Sequence, residues 1–242
     1  MLSEKYFETN QNQLKNQIQL IALPYAAGSL RSYYSFKQVK AIELVNYELP
    51  GRGFRQSDKF SNLSIILKEV MEVIDFTRPY ILFGHSMGAY IAYEICSYIE
   101  KKELPLPSKV ILSAQIPPDN KKNTNMWQYL PENEVINYFK KLGGTPDEVL
   151  DNQELMELFS EVINQDFAFL RSYFKNSWTE KVKSNLEIWY GEADEFIDEK
   201  GITAWDQSTY GKCKYVKFQG NHFFIQQLFE QPERLSSLLL EN

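Results

Sequence analysis

Residues 80–89 read YILFGHSMGA, which sets a serine between two glycines where an apolar run meets a helical pattern. The apolar run before Gly84 is typical of a buried strand, and the small residues after Gly88 are typical of a closely packed helix. A serine at such a sharp turn projects its hydroxyl from the edge of the sheet, and the two glycines let the strand and the helix approach each other. The context therefore predicts a nucleophile elbow that presents Ser86.

On both sides of this turn, short apolar runs alternate with longer helical patterns, in the order that builds β-α-β units. Strands are predicted at Gln19–Leu23, Ile42–Leu49, Tyr80–Phe83, Lys109–Ser113, Leu186–Tyr190 and Lys214–Phe218, and helices at Leu63–Phe76, Ala89–Ile99 and Phe223–Leu240. Several strand runs are continuously apolar, as expected of strands that helices cover on both faces. We expect a single α/β domain over residues 1–242, with a mostly parallel central sheet flanked by helices.

One long segment departs from this alternation. Residues 115–183 carry proline-punctuated helical sequence without a clear strand, so they are predicted to form a helical lid insertion. Apolar residues such as Leu155, Phe159 and Leu170 recur on one helical face, and we expect an aromatic-rich lid to form an apolar channel for an acyl chain. Asp166 lies on the same face, and we expect it to cap a helix or to form hydrogen bonds within the lid.

A serine hydroxyl needs a neutral imidazole nearby to accept its proton. The chain contains two histidines, His85 and His222. His85 precedes the serine, where the backbone is expected to turn its ring into the sheet, which favours a structural role. His222 follows the last predicted strand, downstream of the elbow, and is the candidate general base.

The third member of a serine triad is a carboxylate that orients the imidazole. Asp194 fits this role because it follows the strand that ends at Gly191 and precedes His222 by 28 residues. Three nearby carboxylates could be mistaken for it: Glu192, Glu195 and Asp198. The alternative is that Asp194 is a loop or helix-capping carboxylate.

An oxyanion that forms during acyl transfer needs two backbone N–H donors. The amide of Met87 supplies one, at the positive end of the helix that follows the elbow. The second is expected from Tyr25 or Ala26, in the small-residue loop LPYAAGS at 23–29, unless that loop is a plain glycine-containing turn. Arg52, in the LPGRG loop at 49–53, is expected to stabilise its loop, with contact to a phosphate as the alternative.

Charge and composition narrow the classes of partner. The chain has 26 basic and 32 acidic residues and a net charge of −6, which argues against nucleic acid or an anionic membrane surface as the main partner. Two distant cysteines without metal-type spacing indicate a reducing compartment. The chain shows neither a signal-peptide pattern nor an apolar run long enough to span a membrane, so we expect a cytoplasmic protein.

Six motifs together connect the chain with a known family: PYAAG at 24–28, PGRG at 50–53, GHSMG at 84–88, LGGTP at 142–146, GEAD at 191–194 and GNH at 220–222. On these residues the chain resembles the type II thioesterases of nonribosomal peptide synthetases and polyketide synthases. Two departures are Ala27, where the family usually has glycine, and Asn164-Gln165-Asp166, where the family commonly has an arginine shortly before the aspartate.

The resemblance implies an α/β-hydrolase fold with Ser86, Asp194 and His222 as the triad. It also implies that the enzyme hydrolyses unwanted acyl groups from the phosphopantetheine thiol of acyl or peptidyl carrier proteins, which would be its partners. The phosphopantetheine belongs to the substrate, and we expect neither a metal nor a cofactor. We also expect a monomer.

Two other functions are compatible with the same motifs. A carboxylesterase or an acyl-CoA thioesterase could use the same fold and triad, because these features do not specify the leaving group. A non-catalytic binding protein could retain the fold without the reaction. The acyl-chain preference, the carrier partner and the biosynthetic pathway are not determined by the sequence.

Overall fold

A central sheet of seven strands organises the molecule. The computed structural model describes residues 7–9, 17–58, 62–120, 127, 129–145, 147–176 and 180–241. The strands are β1 (Phe7–Thr9), β2 (Ile18–Leu23), β3 (Ile42–Tyr47), β4 (Tyr80–His85), β5 (Lys109–Ser113), β6 (Leu186–Gly191) and β7 (Cys213–Phe218). Their order across the sheet is β1-β3-β2-β4-β5-β6-β7. Strands β2 to β7 run parallel, and β1 pairs antiparallel with β3 at one edge.

Helices cover both faces of this sheet. They are α1 (Leu63–Met71), α2 (Met87–Lys101), α3 (Glu132–Leu142), α4 (Asp147–Leu150), α5 (Gln153–Asn176), α6 (Glu199–Thr203), α7 (Ile225–Phe229) and α8 (Pro232–Leu240), with 3-10 turns at Leu30–Gln38, Gly53–Arg55 and Ala204–Gln207. In β4, Tyr80 and Leu82 pack in the core shared with α2, whereas Ile81 and Phe83 pack in the core on the opposite face. This division explains why the whole strand is apolar.

The predicted mostly parallel sheet is confirmed, with small differences at the strand ends. Strand β4 continues to His85, two residues beyond its predicted end, and β3 ends at Tyr47 instead of Leu49. The unpredicted strand β1 has three residues, which is too short for a recognisable alternation. Its register, with Phe7 opposite Tyr47, is set by pairing with β3 at the sheet edge.

The segment predicted as a lid, 115–183, contains α3, α4 and α5 between β5 and β6. Residues 121–126, 128, 146 and 177–179 of this segment lie outside the described part of the chain. Helix α5 is 24 residues long and buries one apolar face, which includes Ile163, Phe167 and Leu170. Across the described ranges, none of the helices is long and apolar enough to cross a membrane.

Candidate active site

Ser86 occupies a strained turn between β4 and α2. Its φ is 54° and its ψ is −118°, a backbone conformation that side-chain-bearing residues rarely adopt and that costs about 1–3 kcal/mol. A Cβ added to Gly84 would lie 2.0 Å from the carbonyl oxygen of Gly88, and one added to Gly88 would lie 2.1 Å from that of Leu23. The Ser86 amide donates to the carbonyl of Ser113 on β5 at 2.8 Å. The turn therefore requires both glycines and is fixed to the sheet.

His222 and Asp194 form a direct hydrogen bond at the carboxyl edge of the sheet. Asp194 follows β6 and His222 follows β7, and these strands are parallel neighbours. The distance from His222 Nδ1 to Asp194 Oδ2 is 2.8 Å, and both side chains are buried. Asp194 Oδ1 also accepts from the amide of Phe196 at 3.0 Å. Because Nδ1 faces the carboxylate, Nε2 is the nitrogen of His222 that faces away from the acid.

The imidazole of His222 lies beside the turn that carries Ser86. Its ring centroid is 5.4 Å from that of His85, the residue that precedes the serine. Nε2 of His222 is buried and has no hydrogen-bond partner within the described part of the chain, so the Ser86 hydroxyl is not hydrogen-bonded to it in this structure. The structure thus joins Asp194 to His222 and places the His222 ring beside His85, the chain neighbour of Ser86.

His85 is fully buried, and its Nδ1 lies 2.9 Å from the Ser113 hydroxyl. Burial holds the pKa of His85 well below its usual range, and the neighbouring His222 lowers it further. The ring also packs against Tyr25 and Phe223, with centroid distances of 5.9 and 5.5 Å. His85 therefore stays neutral and contributes to the packing around the second histidine.

The loop after β2 forms a tight turn in which the Gly28 amide donates to the Tyr25 carbonyl at 2.8 Å. Ala27 has a φ of 60°, the left-handed conformation that glycine adopts most easily, which explains why glycine is usual at this position of the family. Among the described residues, the backbone amides of Ala26 and Met87 have no hydrogen-bond acceptor, whereas the Tyr25 amide faces the hydroxyl of Tyr33. The amides of Ala26 and Met87 are therefore available as donors, whereas that of Ala27 is engaged by Asp166 at 2.7 Å.

The expectation that Asp166 forms hydrogen bonds within the lid is wrong. Asp166 projects from α5 into the body, where Oδ2 accepts from the Ala27 amide and Oδ1 forms an ion pair with Arg52. Arg52 also donates to the Gly28 carbonyl at 2.9 Å, and both charged side chains are buried. Arg52 therefore connects its own loop, the loop at Ala27 and Gly28, and helix α5. This role stabilises the loops and replaces the alternative of contact with a phosphate. Sequence reasoning missed this cluster because no spacing signal connects residues 114 positions apart.

The lid also contacts the loop that carries His222. A Cβ added to Gly144, which has a φ of 83°, would lie 2.7 Å from the ring of Phe223. From α3, the Tyr138 ring lies 5.1 Å from that of Phe196, which in turn lies 6.2 Å from the His222 ring. Burial, reinforced by the charge of Asp194, raises the pKa of Tyr138. These ring contacts connect α3 of the lid to the loops that carry Asp194 and His222.

A cavity of about 480 Å³ lies at the opposite edge of the sheet. It is lined by the first residues of β5, β6 and β7, among them Lys109, Glu187 and Lys214. Its position at the amino ends of parallel strands separates it from Ser86. In the described ranges, no group of three or more histidine, cysteine or acidic residues is arranged to hold a metal ion.

Comparisons with known proteins agree on one family. The sequence profile of the Thioesterase domain family matches residues 18–241. Gramicidin S biosynthesis protein GrsT of Aneurinibacillus migulanus is 28% identical over 215 residues, which cover 86% of this chain and 83% of that protein. The medium-chain S-acyl fatty acid synthase thioesterase of Homo sapiens is 27% identical over 219 residues, which cover 85% of this chain and 80% of that protein.

Solved structures give the same result for the fold. ClbQ from the colibactin NRPS/PKS pathway superposes with a TM-score of 0.79 at 26% identity, covering 92% of this chain and 97% of its own. The fold is therefore the α/β-hydrolase fold of thioesterases, as the resemblance implies. The chain belongs to the thioesterase domain family, and it is a thioester hydrolase.

Proposed function

We propose that this enzyme hydrolyses acyl thioesters on the phosphopantetheine arm of carrier proteins, with Ser86 as nucleophile, His222 as general base and Asp194 as the carboxylate that orients His222. The hydrogen bond of 2.8 Å between His222 Nδ1 and Asp194 Oδ2 carries the assignment, because it directs Nε2 of the imidazole away from the acid. Ser86 then supplies the hydroxyl, at a turn built to expose it.

The first half of the reaction forms an acyl-enzyme. Nε2 of His222 accepts the hydroxyl proton while Ser86 Oγ attacks the thioester carbonyl carbon, and the carbonyl oxygen becomes an oxyanion. The amides of Met87 and of Tyr25 or Ala26 donate to that oxyanion. When the tetrahedral intermediate collapses, the carbon–sulfur bond breaks and His222 returns its proton to the departing thiol. A thiol is a good leaving group because its pKa is near 8.5.

The second half releases the acyl group. His222 accepts a proton from water as the water oxygen attacks the acyl carbon, and the same amides stabilise the second oxyanion. The bond from the acyl carbon to Ser86 Oγ then breaks, and His222 returns the proton to the serine. The products are a free carboxylic acid and the carrier thiol, and the reaction consumes only water.

The choice of a carrier-bound thioester rests on the relatives. GrsT is named for gramicidin S biosynthesis, and ClbQ comes from an NRPS/PKS pathway, in which acyl intermediates are carried as thioesters. The human relative is named as a medium-chain S-acyl fatty acid synthase thioesterase. These relatives support a role in removing acyl groups that stall such an assembly line.

The test compares leaving groups and a matched variant. Acetylated and aminoacylated carrier proteins are incubated with the wild-type enzyme and with Ser86→Ala, and unloading is followed by intact mass. Acetyl-CoA and p-nitrophenyl acetate are measured in parallel. We expect the wild type to give the highest kcat/KM on a carrier substrate and Ser86→Ala to be at least about 10³-fold slower.

A higher kcat/KM on acetyl-CoA or on the ester would favour the acyl-CoA thioesterase or carboxylesterase instead. Near-normal unloading by Ser86→Ala would contradict the assignment of the nucleophile. Covalent labelling by a fluorophosphonate distinguishes an inactive binding protein from an enzyme offered the wrong acyl group, because the reagent needs only an activated serine.

A further inference from the structure

A buried ion pair connects the lid to the loop that carries the available amide of Ala26. Asp166 is fully buried at the middle of α5, and Arg52 lies in the loop after β3. One carboxylate oxygen accepts from the Ala27 amide at 2.7 Å, and the other pairs with the guanidinium. A second nitrogen of that guanidinium donates to the Gly28 carbonyl at 2.9 Å. The pair thus binds the backbone N–H of Ala27 and the backbone C=O of Gly28.

We propose that Asp166 and Arg52 are positioning residues that hold the loop at Tyr25 and Ala26 in the geometry needed to stabilise the oxyanion. This inference rests on the proposed function of that loop. It implies that the lid, through α5, is part of the catalytic apparatus as well as a cover over the substrate.

The backbone conformation of Ala27 shows why the loop needs the ion pair of Arg52 with Asp166. An alanine at a φ of 60° is held in a conformation that costs about 1–2 kcal/mol, so the free loop would favour other conformations. A carboxylate that accepts from the Ala27 amide opposes this relaxation. It also removes the Ala27 amide from the set of free donors.

Electrostatics alone would not place a carboxylate here. A negative charge near a developing oxyanion disfavours the transition state, and Arg52 offsets it with a full positive charge at contact distance. A neutral pair of buried groups could fill the same space. The ionic pair is explained by its geometry, because a planar guanidinium can hold the carboxylate and the Gly28 carbonyl at once.

The competing explanation is that the pair merely fastens the lid. A second buried hydrogen bond between the lid and the body allows these two explanations to be distinguished. In it, Tyr173 of α5 donates to Glu94 of α2 at 2.8 Å. Tyr173 is seven residues beyond Asp166 on the same helix. Tyr173→Phe therefore weakens the attachment of the lid without touching the loop at Tyr25, and it is the matched control.

The test uses the full-length enzyme and the acetyl thioester of N-acetylcysteamine, which resembles the end of a phosphopantetheine arm and needs no carrier docking. Arg52→Met with Asp166→Leu removes the pair without leaving an unpaired buried charge. Arg52→Met with Asp166→Asn also removes both charges but keeps an acceptor for the Ala27 amide. Folding is checked by circular dichroism, and kcat, KM and the pH profile of kcat are measured for each variant.

We expect the Leu variant to lose about 10²-fold in kcat with KM changed less than about 3-fold, as for loss of an oxyanion donor. Arg52→Met with Asp166→Asn should recover at least about 10-fold of that loss in kcat. Tyr173→Phe should keep kcat within about 3-fold of the wild type. In every variant, the acidic limb of the pH profile of kcat should stay where it is in the wild type. Three results would overturn the proposal: an unaffected kcat in the Leu variant, an equal loss in Tyr173→Phe, or failure of both double variants to fold while Tyr173→Phe folds. A wild type inactive on every thioester would instead refute the proposed function.

Discussion

The carboxylate of Asp194 accepts a hydrogen bond from Nδ1 of His222 at 2.8 Å across the ends of two adjacent parallel strands. If this bond fixes the tautomer of the imidazole, Asp194→Asn should lower kcat by about 10³- to 10⁴-fold, because an amide that donates to Nδ1 leaves the proton on Nε2. Steady-state kinetics on an acetyl thioester measures the effect, and circular dichroism checks that the variant is folded.

The matched control for this substitution is Asp198→Asn. Asp198 is four residues away and caps helix α6 by accepting from the Gly201 amide at 2.7 Å. Asparagine caps helices about as well as aspartate, so this variant should keep wild-type kcat within about 2-fold. Equal losses in both variants would show that the effect is one of local charge and not of the bond to His222.

A glycine at position 86 should raise the stability of the protein while it abolishes activity. Because its φ of 54° with a ψ of −118° suits glycine, Ser86→Gly should abolish hydrolysis yet raise the free energy of unfolding by about 1 kcal/mol. For a chain of this size that corresponds to about 2–4 °C in Tm. Ser86→Ala should be equally inactive without the gain in Tm, since alanine keeps the Cβ. A Tm for Ser86→Gly at or below that of Ser86→Ala would contradict strain at this turn.

Two adjacent lid glycines offer a comparison between backbone strain and steric contact. Gly143 and Gly144 have φ values of 79° and 83°, so alanine at either should destabilise the fold by about 1–2 kcal/mol. A Cβ at Gly144 would lie 2.7 Å from the ring of Phe223, whereas for one at Gly143 the nearest atom among the residues that the structure describes lies at 3.8 Å. Since Phe223 follows His222, Gly144→Ala should also lower kcat, by about 10-fold or more.

The measurements are a thermal melt and steady-state kinetics for both alanine variants. We expect both variants to lose Tm from the shared strain, with the larger loss of both Tm and kcat in Gly144→Ala because of its added contact with Phe223. Equal kcat values in the two variants would show that the contact between the lid and Phe223 has no influence on the position of His222.

The elbow was predictable because its chemistry is local. An apolar strand, two glycines around Ser86 and a small-residue helix all lie within ten consecutive residues, and each leaves a pattern in the sequence. The parallel strands were predictable for the same reason, since burial on both faces makes each one an apolar run. Strand β1 left no such pattern because it is three residues long and is held by its pairing with β3.

The ion pair of Arg52 with Asp166 was not predictable, because it depends on how α5 lies over the body. Periodicity places Asp166 on the buried face of a helix, but it does not say which segment that face will meet. The left-handed backbone at Ala27 was hidden for a similar reason. Alanine gives no sequence signal for a left-handed backbone, and its amide is bound by Asp166, a contact that the sequence does not show.

The fully buried His85 should make the fold sensitive to acid. Burial, and secondarily the nearby His222, holds the pKa of His85 well below the value of about 6.5 that a histidine has in the unfolded chain. Below about pH 6.5 the unfolded chain therefore binds a proton at this position that the folded chain does not. The free energy of unfolding should fall as the pH is lowered, by up to about 1.4 kcal/mol per pH unit, until the folded-state pKa of His85 is reached.

Replacing His85 with glutamine removes this protonation site and leaves His222 and the carboxylates unchanged. The difference in unfolding free energy between His85→Gln and the wild type, measured by urea titration at pH 7.5, 6.0 and 5.0, should shift in favour of the variant as the pH falls. Relative to pH 7.5, the shift should already be measurable at pH 6.0 and should be larger at pH 5.0, because the unfolded chain is mostly neutral at His85 at pH 7.5 and mostly protonated at the two lower values. A difference that stays constant down to pH 5.0 would mean that the folded protein can protonate His85 as readily as the unfolded chain does.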